Sequence, residues 1–227
     1  MIFEQLFDDS SSTYTYLLAS EGQAALIDPV REHLDDYLAR LEQQELSLRY
    51  AIDTHTHADH ITALGELRDA TGCETIVGHP SQMACASRQI NDGDVLHIGE
   101  LALAALATPG HTNDSYSFHL AQEQMLFSGD TLLIGGTGRT DFQQGDAIAQ
   151  YHSLFDVLLA LPAATRVYPG HDYAGNKVSS IGMERHSNPR LQVSSAEDYA
   201  AIMAELKLDN PKLMDIAIPA NLSCGKL

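Results

Sequence analysis

Length, composition and charge already restrict what this chain can be. Its 227 residues, 44% of them hydrophobic, suit a globular domain with a buried core, and no run reaches the roughly 18 apolar residues of a membrane span. The formal net charge of −18 argues against nucleic acid and anionic membranes as partners, and the N-terminal residues lack a signal or transit pattern, so we expect a cytoplasmic protein.

The first third of the chain alternates between strand and helix patterns. Residues 48–53 are largely apolar and lead directly into a histidine-rich segment, which predicts a strand that ends there. Leu34, Leu38 and Leu41 recur at helical spacing, and Gly72 is suited to end a later helix. In order, the predicted elements are strand 13–19, strand 23–27, helix 33–44, strand 48–53 and helix 61–71.

Strands dominate the rest of the chain, with helices between them. A helix over 147–161 is predicted to close at Pro162, and residues 194–197 resemble a capping box that opens a helix to about residue 206. Residues 214–227 carry proline and glycine, which predicts turns that wrap the surface. The predicted strands are 74–77, 95–98, 101–107, 115–120, 124–127 and 166–168.

This order of elements predicts an α/β protein with two stacked sheets and helices on both outer faces. A sheet with two apolar faces must bury both, and helices can cover the face that does not meet the other sheet. We expect a four-layer αββα sandwich formed by a single domain over residues 1–227, with a C-terminal extension around 208–227.

Histidine or aspartate follows four of the predicted strands directly. Loops at one edge of a sheet can converge on a common point, and alternate residues of an extended segment, such as His55 and His57, lie on the same side. Alone, His111 or His171 would more often be an ordinary loop histidine, but together the four segments indicate a metal site. The segments are Asp53-Thr-His55-Thr-His57-Ala-Asp59-His60, Thr108-Pro-Gly-His111-Thr112, Ser128-Gly-Asp130-Thr131 and Pro169-Gly-His171-Asp172.

The cysteines limit the kind of metal site that we expect. Cys73, Cys85 and Cys224 are an odd set without CxxC spacing, which argues against a disulfide framework and against a cysteine-rich zinc site. Cys224 is expected to be a small buried residue rather than a reactive thiol. Any metal must therefore be bound by histidines and carboxylates.

The order of the four segments resembles the metallo-β-lactamase superfamily over nearly the whole chain. The resemblance implies an αββα sandwich of that type with metal bound at one edge, and most members are hydrolases with two zinc ions. In that pattern Asp130 would bridge two ions. The first ion would be bound by His55, His57 and His111, and the second by Asp59, His60 and His171.

Further segments resemble one branch of that superfamily, the persulfide dioxygenases of the ethylmalonic-encephalopathy type. Residues 138–145, Gly-Arg-Thr-Asp-Phe-Gln-Gln-Gly, carry the most specific match. Residues 168–173, 188–191 and 219–225 match in the same way. The family often has cysteine where this chain has Thr137 and Asp146, which puts thiol-based regulation at those positions in doubt but not the metal ligands.

The resemblance implies a reaction and a cofactor. Glutathione persulfide would be oxidised with O₂ and water to sulfite and glutathione at a mononuclear non-haem Fe(II), one per chain, bound by His55, His111 and Asp130. Two imidazoles and one carboxylate leave three positions open, so sulfur and O₂ can reach the same ion. The residues expected to surround these ligands are His57, Asp59, His60 and His171.

Two further residues are candidates for binding the glutathione part of the substrate. The planar guanidinium of Arg139 suits a carboxylate, but an ion pair with Asp141 is an equally good interpretation. The Tyr173 hydroxyl could reach the same cavity, and packing in the core is the equal alternative.

Other functions and assemblies stay open at this point. Histidine and carboxylate ligands permit zinc as well as iron, so a di-zinc hydrolase of S-acylglutathione thioesters, like glyoxalase II, is the first alternative. A non-catalytic protein that kept the fold is the second. A homodimer or higher homo-oligomer is compatible with the sequence, which does not define the oligomeric state.

Overall fold

The computed structural model describes residues 1–211 and 213–226, in which two six-stranded sheets stack face to face. In both chain and spatial order, the first sheet contains β1 (Ile2–Asp8), β2 (Thr13–Ser20), β3 (Gln23–Ile27), β4 (Ser47–Ile52), β5 (Glu74–Gly78) and β6 (Arg88–Ile90). Its first two pairings are antiparallel, and those from β3 to β6 are parallel.

The second sheet follows in the chain and includes a small hairpin beside it. Its strands in chain order, with that hairpin formed by β11 and β12, are β7 (Val95–Ile98), β8 (Leu101–Ala107), β9 (Tyr116–Leu120), β10 (Met125–Gly129), β11 (Leu132–Leu133), β12 (Gly136–Thr137), β13 (Arg166–Pro169) and β14 (Ser179–Ser180). The spatial order is β14-β13-β10-β9-β8-β7, and only β10 and β13 are neighbours in parallel.

Helices cover the outer faces, so the predicted four-layer αββα sandwich is confirmed. The described helices are α1 (Leu34–Gln43), α2 (Leu64–Thr71), α3 (Ala147–His152), α4 (Ile181–Ser187), α5 (Ala196–Ala204) and α6 (Met214–Leu222). Within residues 1–211 and 213–226, no helix is both long and apolar enough to cross a membrane.

The alternation of side chains along β2 shows how the layers are held together. Tyr16 and Leu18 face the second sheet and pack in a core with Phe118 and Phe127, whereas Leu17 joins the cluster beneath the helices of the first sheet. All five are essentially inaccessible to solvent. The Tyr16 hydroxyl donates to the carbonyl of Pro169 at 2.6 Å, so the buried phenol is satisfied and β2 is tied to the end of β13.

Several predicted boundaries needed correction. The helix predicted over 61–71 begins only at Leu64, because Thr62 is extended and pairs with Val30. The capping residue of α5 is Ser195, whose hydroxyl accepts from the backbone N–H of Asp198, one position later than predicted. The helix predicted over 147–161 is α-helical only over α3 and continues as a π-helical turn over Ser153–Leu158.

The prediction for residues 214–227 was wrong. Met214–Leu222 forms α6 with Pro219 inside it, although proline lacks the N–H that a helix interior uses. The helix persists because Ala217 and Ala220 bury their small side chains against Ile61, so tertiary packing outweighs local propensity. Residue 227 lies outside the described residues.

The prediction against disulfides was also wrong for one pair. Cys85 and Cys224 are bonded, with Cα atoms 6.0 Å apart, while Cys73 is a free buried thiol. The pairing escaped sequence reasoning because 139 residues separate the two positions and α6, which brings Cys224 to the loop before β6, was not predicted. Cys224 is fully buried, as expected.

Candidate metal centre

The four histidine- or aspartate-bearing segments converge at one edge of the sandwich, as predicted. They follow β4, β8, β10 and β13, and they bring His55, His111 and Asp130 together. One potential ligand atom from each of these three residues lies within 4.8 Å of the other two. The two histidines are buried, and the carboxyl side chain of Asp130 is 12% exposed on the wall of a cavity.

His111 presents a single free nitrogen to the centre. Its Nδ1 donates a hydrogen bond to the backbone carbonyl of Arg139 at 2.7 Å, so Nε2 is the nitrogen that can bind a metal. That Nε2 lies 3.6 Å from Oδ2 of Asp130. A backbone carbonyl on the far nitrogen is the usual way in which proteins orient a metal-binding imidazole.

His55 is oriented in the same way by a hydroxyl. The Thr54 hydroxyl donates to Asp28 Oδ2 at 3.0 Å, and therefore accepts from His55 Nδ1, also at 3.0 Å. Burial, together with neighbouring His57 and His111, lowers the pKa of His55 to about 3, so the ring is neutral. Its Nε2 is thus available as a ligand.

Asp130 divides its two oxygens between the centre and a neighbouring histidine. Oδ1 accepts from His171 Nδ1 at 2.6 Å, and Oδ2 is the oxygen that faces His111. Burial would raise the pKa of Asp130, but His171 and His111 outweigh it and lower the pKa well below its usual range. The side chain is therefore an anionic ligand at neutral pH.

These three donors fit a divalent transition-metal ion. Two imidazole nitrogens and one carboxylate oxygen come together at one place, and each residue's other polar atom is held by a hydrogen bond that fixes its orientation.

His57 lies behind the three ligands rather than beside the cavity. Its Nε2 contacts Asp28 Oδ1 at 3.1 Å, and the ring is fully buried with its centroid 4.2 Å from that of His55. Burial would lower the pKa of His57, but Asp28 and Asp53 raise it to about 9. Its Nδ1 has no hydrogen-bond partner among the described residues.

Asp59, His60 and His171 form a second group that is joined to the first through His171. Asp59 Oδ2 accepts from His60 Nδ1 at 2.8 Å and from His171 Nε2 at 2.9 Å. His171 thus bridges Asp59 and Asp130. Burial would lower the pKa of His171, but these two carboxylates raise it well above its usual value, so His171 is an imidazolium bonded to both.

Sequence reasoning missed several residues that position the site. Asp28 accepts hydrogen bonds from Thr54 and contacts His57. It directly follows β3, so the search for histidine or aspartate after a predicted strand could have found it. Asn221 of α6 is fully buried and donates from Nδ2 to the carbonyls of His57 and His60, both at 2.9 Å. Nothing in the local sequence signals that role, because it depends on the packing of α6.

A cavity of about 500 Å³ opens at His111 and Asp130. This volume is typical of a small-molecule site. Arg139 and Arg190 line it, as do the apolar side chains of Leu133, Ile134, Phe142 and Leu208.

The two predicted substrate-binding residues lie on this cavity in different ways. Arg139 holds Asp141 in a fork of 2.5 and 2.6 Å and also donates to the carbonyl of Asp209 at 2.8 Å, so the ion pair proposed as its alternative role is present. Tyr173 is 76% exposed, which excludes the alternative of core packing, and its ring stacks on that of His171 with centroids 6.0 Å apart.

Comparisons with known proteins agree with this geometry. The family model described as "Metallo-beta-lactamase superfamily" matches residues 9–171. Proteins named persulfide dioxygenase ETHE1, mitochondrial, from Mus musculus and Homo sapiens are 44% and 43% identical over 99% of this chain and 89% of their own length. The crystal structure of ETHE1 from Myxococcus xanthus superposes with a TM-score of 0.95 at 49% identity, covering 99% of this chain and 100% of that one.

These matches, with the ligand set described above, identify a metal site made of histidine and aspartate. They extend through residues 219–225, which had resembled the same branch on sequence alone. The chain therefore belongs to the metallo-β-lactamase superfamily and, within it, to the ETHE1 family of persulfide dioxygenases.

Proposed function

We propose that this chain is a glutathione persulfide dioxygenase with one Fe(II) bound by His55, His111 and Asp130. In the proposed reaction, O₂ oxidises the outer sulfur of glutathione persulfide and water supplies the third oxygen, which yields sulfite, glutathione and two protons. The names of the relatives at 43–44% identity support the substrate class. The observation that carries the proposal is the meeting of two oriented imidazoles and one carboxylate, with ligand atoms within 4.8 Å of one another, beside the cavity.

The composition of the ligand set supports iron. Two imidazoles and one carboxylate on one face, with open positions, are typical of non-haem Fe(II) sites that use O₂. Iron(II) bound here would supply electron transfer to O₂ and a binding position for a thiolate-like sulfur.

The residues around the cavity would bind and orient the glutathione part. Arg139 and Arg190 are the guanidinium groups on its wall among the described residues, and in this acidic chain they would attract the substrate's carboxylates. Arg139 would do so while it remains paired with Asp141. The exposed ring of Tyr173 would cover the substrate on the side of His171, and apolar side chains such as Phe142 would exclude water from the sulfur.

The alternative of a di-zinc thioester hydrolase is not favoured. The curated relatives that match nearly the full chain at 43–44% identity carry the dioxygenase name.

The proposal is tested by supplying iron-loaded protein with glutathione persulfide. We expect O₂ uptake and sulfite formation in equal amounts, with no hydrolysis of S-lactoylglutathione. Asp130→Ala should lose both iron and at least about a hundredfold in kcat, because it removes a ligand. Thioester hydrolysis by a zinc-loaded sample, without O₂ uptake by an iron-loaded one, would contradict the proposal.

A further inference from the structure

The two guanidinium groups on the cavity wall differ in their partners. Arg139 holds Asp141 in a fork, whereas Arg190 forms no ion pair within residues 1–211 and 213–226. The side-chain hydrogen bonds of Arg190 to other described residues all start from Nη1, which leaves Nε and Nη2 for a ligand. A guanidinium with free donors and no protein carboxylate can bind a ligand carboxylate through two parallel hydrogen bonds.

The Nη1 group of Arg190 is fixed by Thr137 at the end of the β11–β12 hairpin. It donates to the backbone carbonyl of Thr137 and, at 3.3 Å, to the Thr137 hydroxyl. The backbone N–H of Arg190 donates to the side-chain oxygen of Asn188 at 3.1 Å. The guanidinium is half-buried, and burial lowers its pKa, although it stays charged at neutral pH.

A chain of buried side chains continues from Thr137 into the protein. The Tyr199 hydroxyl donates to Gln150 Oε1 at 2.7 Å, and it therefore accepts from the Thr137 hydroxyl at 2.9 Å. Burial raises the pKa of Tyr199 to about 12, so the phenol keeps its proton. Thr137, Tyr199 and Gln150 are all essentially inaccessible to solvent. The donors thus point in one direction, from the guanidinium on the cavity wall to the amide oxygen in α3.

The far end of this chain lies beneath the loop that carries the metal ligand His111. Gly110 has φ of +138°, and its backbone packs so closely on that of Gln150 that a Cβ would not fit. The Ser153 hydroxyl donates to the carbonyl of Pro109 at 2.7 Å. The loop before His111 and the chain of hydrogen bonds from Arg190 are therefore anchored on the same helical segment.

We infer that Tyr199 and Thr137 are positioning residues that act through Arg190. They hold its guanidinium at a set place relative to His111, so that one carboxylate of the substrate is bound while the persulfide sulfur reaches the metal centre. The inference rests on the proposed function, because it takes glutathione persulfide as the substrate. It adds a buried device, outside the cavity, that determines how strongly the carboxylate is recognised.

The test compares two probes, S-methylglutathione and its dimethyl ester, which has no free carboxylate. Calorimetry gives the Kd of each, and the ratio of the two is the preference for the acid. We expect Tyr199→Phe to lower this preference about tenfold, because the guanidinium is no longer fixed. Arg190→Ala should lower it at least as much. Tyr199→Phe/Arg190→Ala should equal Arg190→Ala alone, because both changes remove the same interaction.

Tyr37→Phe is the matched control for the loss of a buried phenol. Tyr37 is also buried, and burial also raises its pKa to about 12. Its hydroxyl accepts from the N–H of Val30 at 3.1 Å and lies 3.0 Å from the hydroxyl of Thr15, so it belongs to the other sheet and does not line the cavity. The preference for the acid should be unchanged in this variant.

A second pair of variants approaches the chain from its other end. Thr137→Val removes the hydroxyl between Arg190 and Tyr199 and should lower the preference, whereas Thr137→Ser keeps the hydroxyl and should retain it. These variants provide the test if Tyr199→Phe does not fold. An unchanged preference in Thr137→Val would overturn the inference.

The remaining outcomes separate this inference from the proposed function. Tight, carboxylate-dependent binding by the wild type with no change in folded Tyr199→Phe would overturn the role of Tyr199 and leave the proposed substrate intact. Losses that add in Tyr199→Phe/Arg190→Ala would also overturn it, because Tyr199 would then act independently of Arg190. If the wild type binds neither probe, the proposed glutathione site and the inference built on it both fail.

Discussion

At the scale of single residues, the candidate site depends on which nitrogen of each histidine is free. Thr54 holds Nδ1 of His55, and the carbonyl of Arg139 holds Nδ1 of His111. Each contact leaves one nitrogen for the metal and sets the angle of its ring. The ligands are therefore oriented before any ion binds, which is the role that outer hydrogen bonds have in metal sites generally.

Thr54→Val tests this orientation. The variant loses the hydroxyl that connects Asp28 to His55, and we expect metal affinity to fall by about 10- to 100-fold. Thr56→Val is the matched control, because that hydroxyl bonds to Asp114 and not to a ligand. Competition with a chelator of known affinity measures both. An equal loss in the two variants would show that the His55 contact has no special role.

Arg139→Ala tests whether this residue binds substrate as well as Asp141. If it does, KM for glutathione persulfide should rise about tenfold with little change in kcat, which corresponds to about 1.4 kcal/mol of binding. Asp141→Ala removes the ion-pair partner and leaves the guanidinium, so its KM should not rise. Steady-state kinetics of both variants provide the measurement. An equal rise in KM in the two variants would show that Arg139 acts only through its structural ion pair with Asp141.

At the scale of elements, two parts of the chain that are distant in sequence hold the ligand loops. The turn between β1 and β2 fixes Thr13 beside His171, and α6 fixes the histidine-rich loop through Asn221. Asn221 also accepts from the N–H of Thr62 at 2.9 Å, so its amide satisfies three buried backbone groups. Both parts position the site without contributing a proposed metal ligand.

Asn221→Ala should therefore affect both stability and metal binding. It leaves the carbonyls of His57 and His60 and the N–H of Thr62 without partners, and we expect a loss of about 2–4 kcal/mol in the free energy of unfolding. Metal affinity should fall about tenfold. Asn188→Ala, which removes an equally buried asparagine that bonds to Gly136 and Glu184, should destabilise the fold but leave metal affinity unchanged. Denaturant unfolding and chelator competition measure both variants. Unchanged metal affinity in Asn221→Ala would show that the contacts of Asn221 with the histidine-rich loop do not position the metal ligands.

The contribution of the β1–β2 turn to folding stability should depend on pH through Asp8. Burial would raise the pKa of this carboxyl, but hydrogen bonds from Ser11, Ser10 and His33 lower it from 3.8 to about 2. A lowered pKa in the folded state means that the carboxylate contributes stability above about pH 5, and that this contribution is lost as the pH falls from about 4 to 2.

Asp8→Asn should remove this contribution. At pH 7 the variant should be less stable than the wild type by about 2 kcal/mol, and the difference should shrink as the pH falls below 4. Asp9→Asn, at the exposed neighbouring position, should show no such narrowing. Denaturant unfolding at a series of pH values provides the measurement, and a difference for Asp8→Asn that stays constant down to pH 3 would refute this account.

At the scale of the whole molecule, the αββα arrangement and the meeting of four loops could be predicted from the sequence. Those predictions depend on strong local patterns, such as the strand of residues 48–53 that leads into the histidine-rich loop. Asp130 and His171 were predicted to approach each other because both follow strands, and β10 and β13 are indeed parallel neighbours. The family resemblance added the choice of ligands and the reaction, which spacing alone could not supply.

What could not be predicted depends on contacts between distant segments. Pro219 is a residue that normally ends a helix, so α6 was not predicted. The contacts of Asn221 with the histidine-rich loop and the Cys85–Cys224 bond depend on α6 and were therefore not predicted either. The position of Thr13 beside the ligand-type residues could not be predicted, because it depends on the bridge to His171, 158 residues away. That residues 1–227 form a single domain, with 208–227 as an extension of it, remains a prediction.

The central claim is that one iron ion is bound by His55, His111 and Asp130 with open positions toward the cavity. The most direct measurement is anomalous X-ray scattering at the iron edge, on crystals of protein purified without added metal. We predict one peak per chain, about 2.0–2.3 Å from a nitrogen of each histidine and an oxygen of Asp130. Two peaks roughly 3.5–4 Å apart, with the second among Asp59, His60 and His171, would contradict the account.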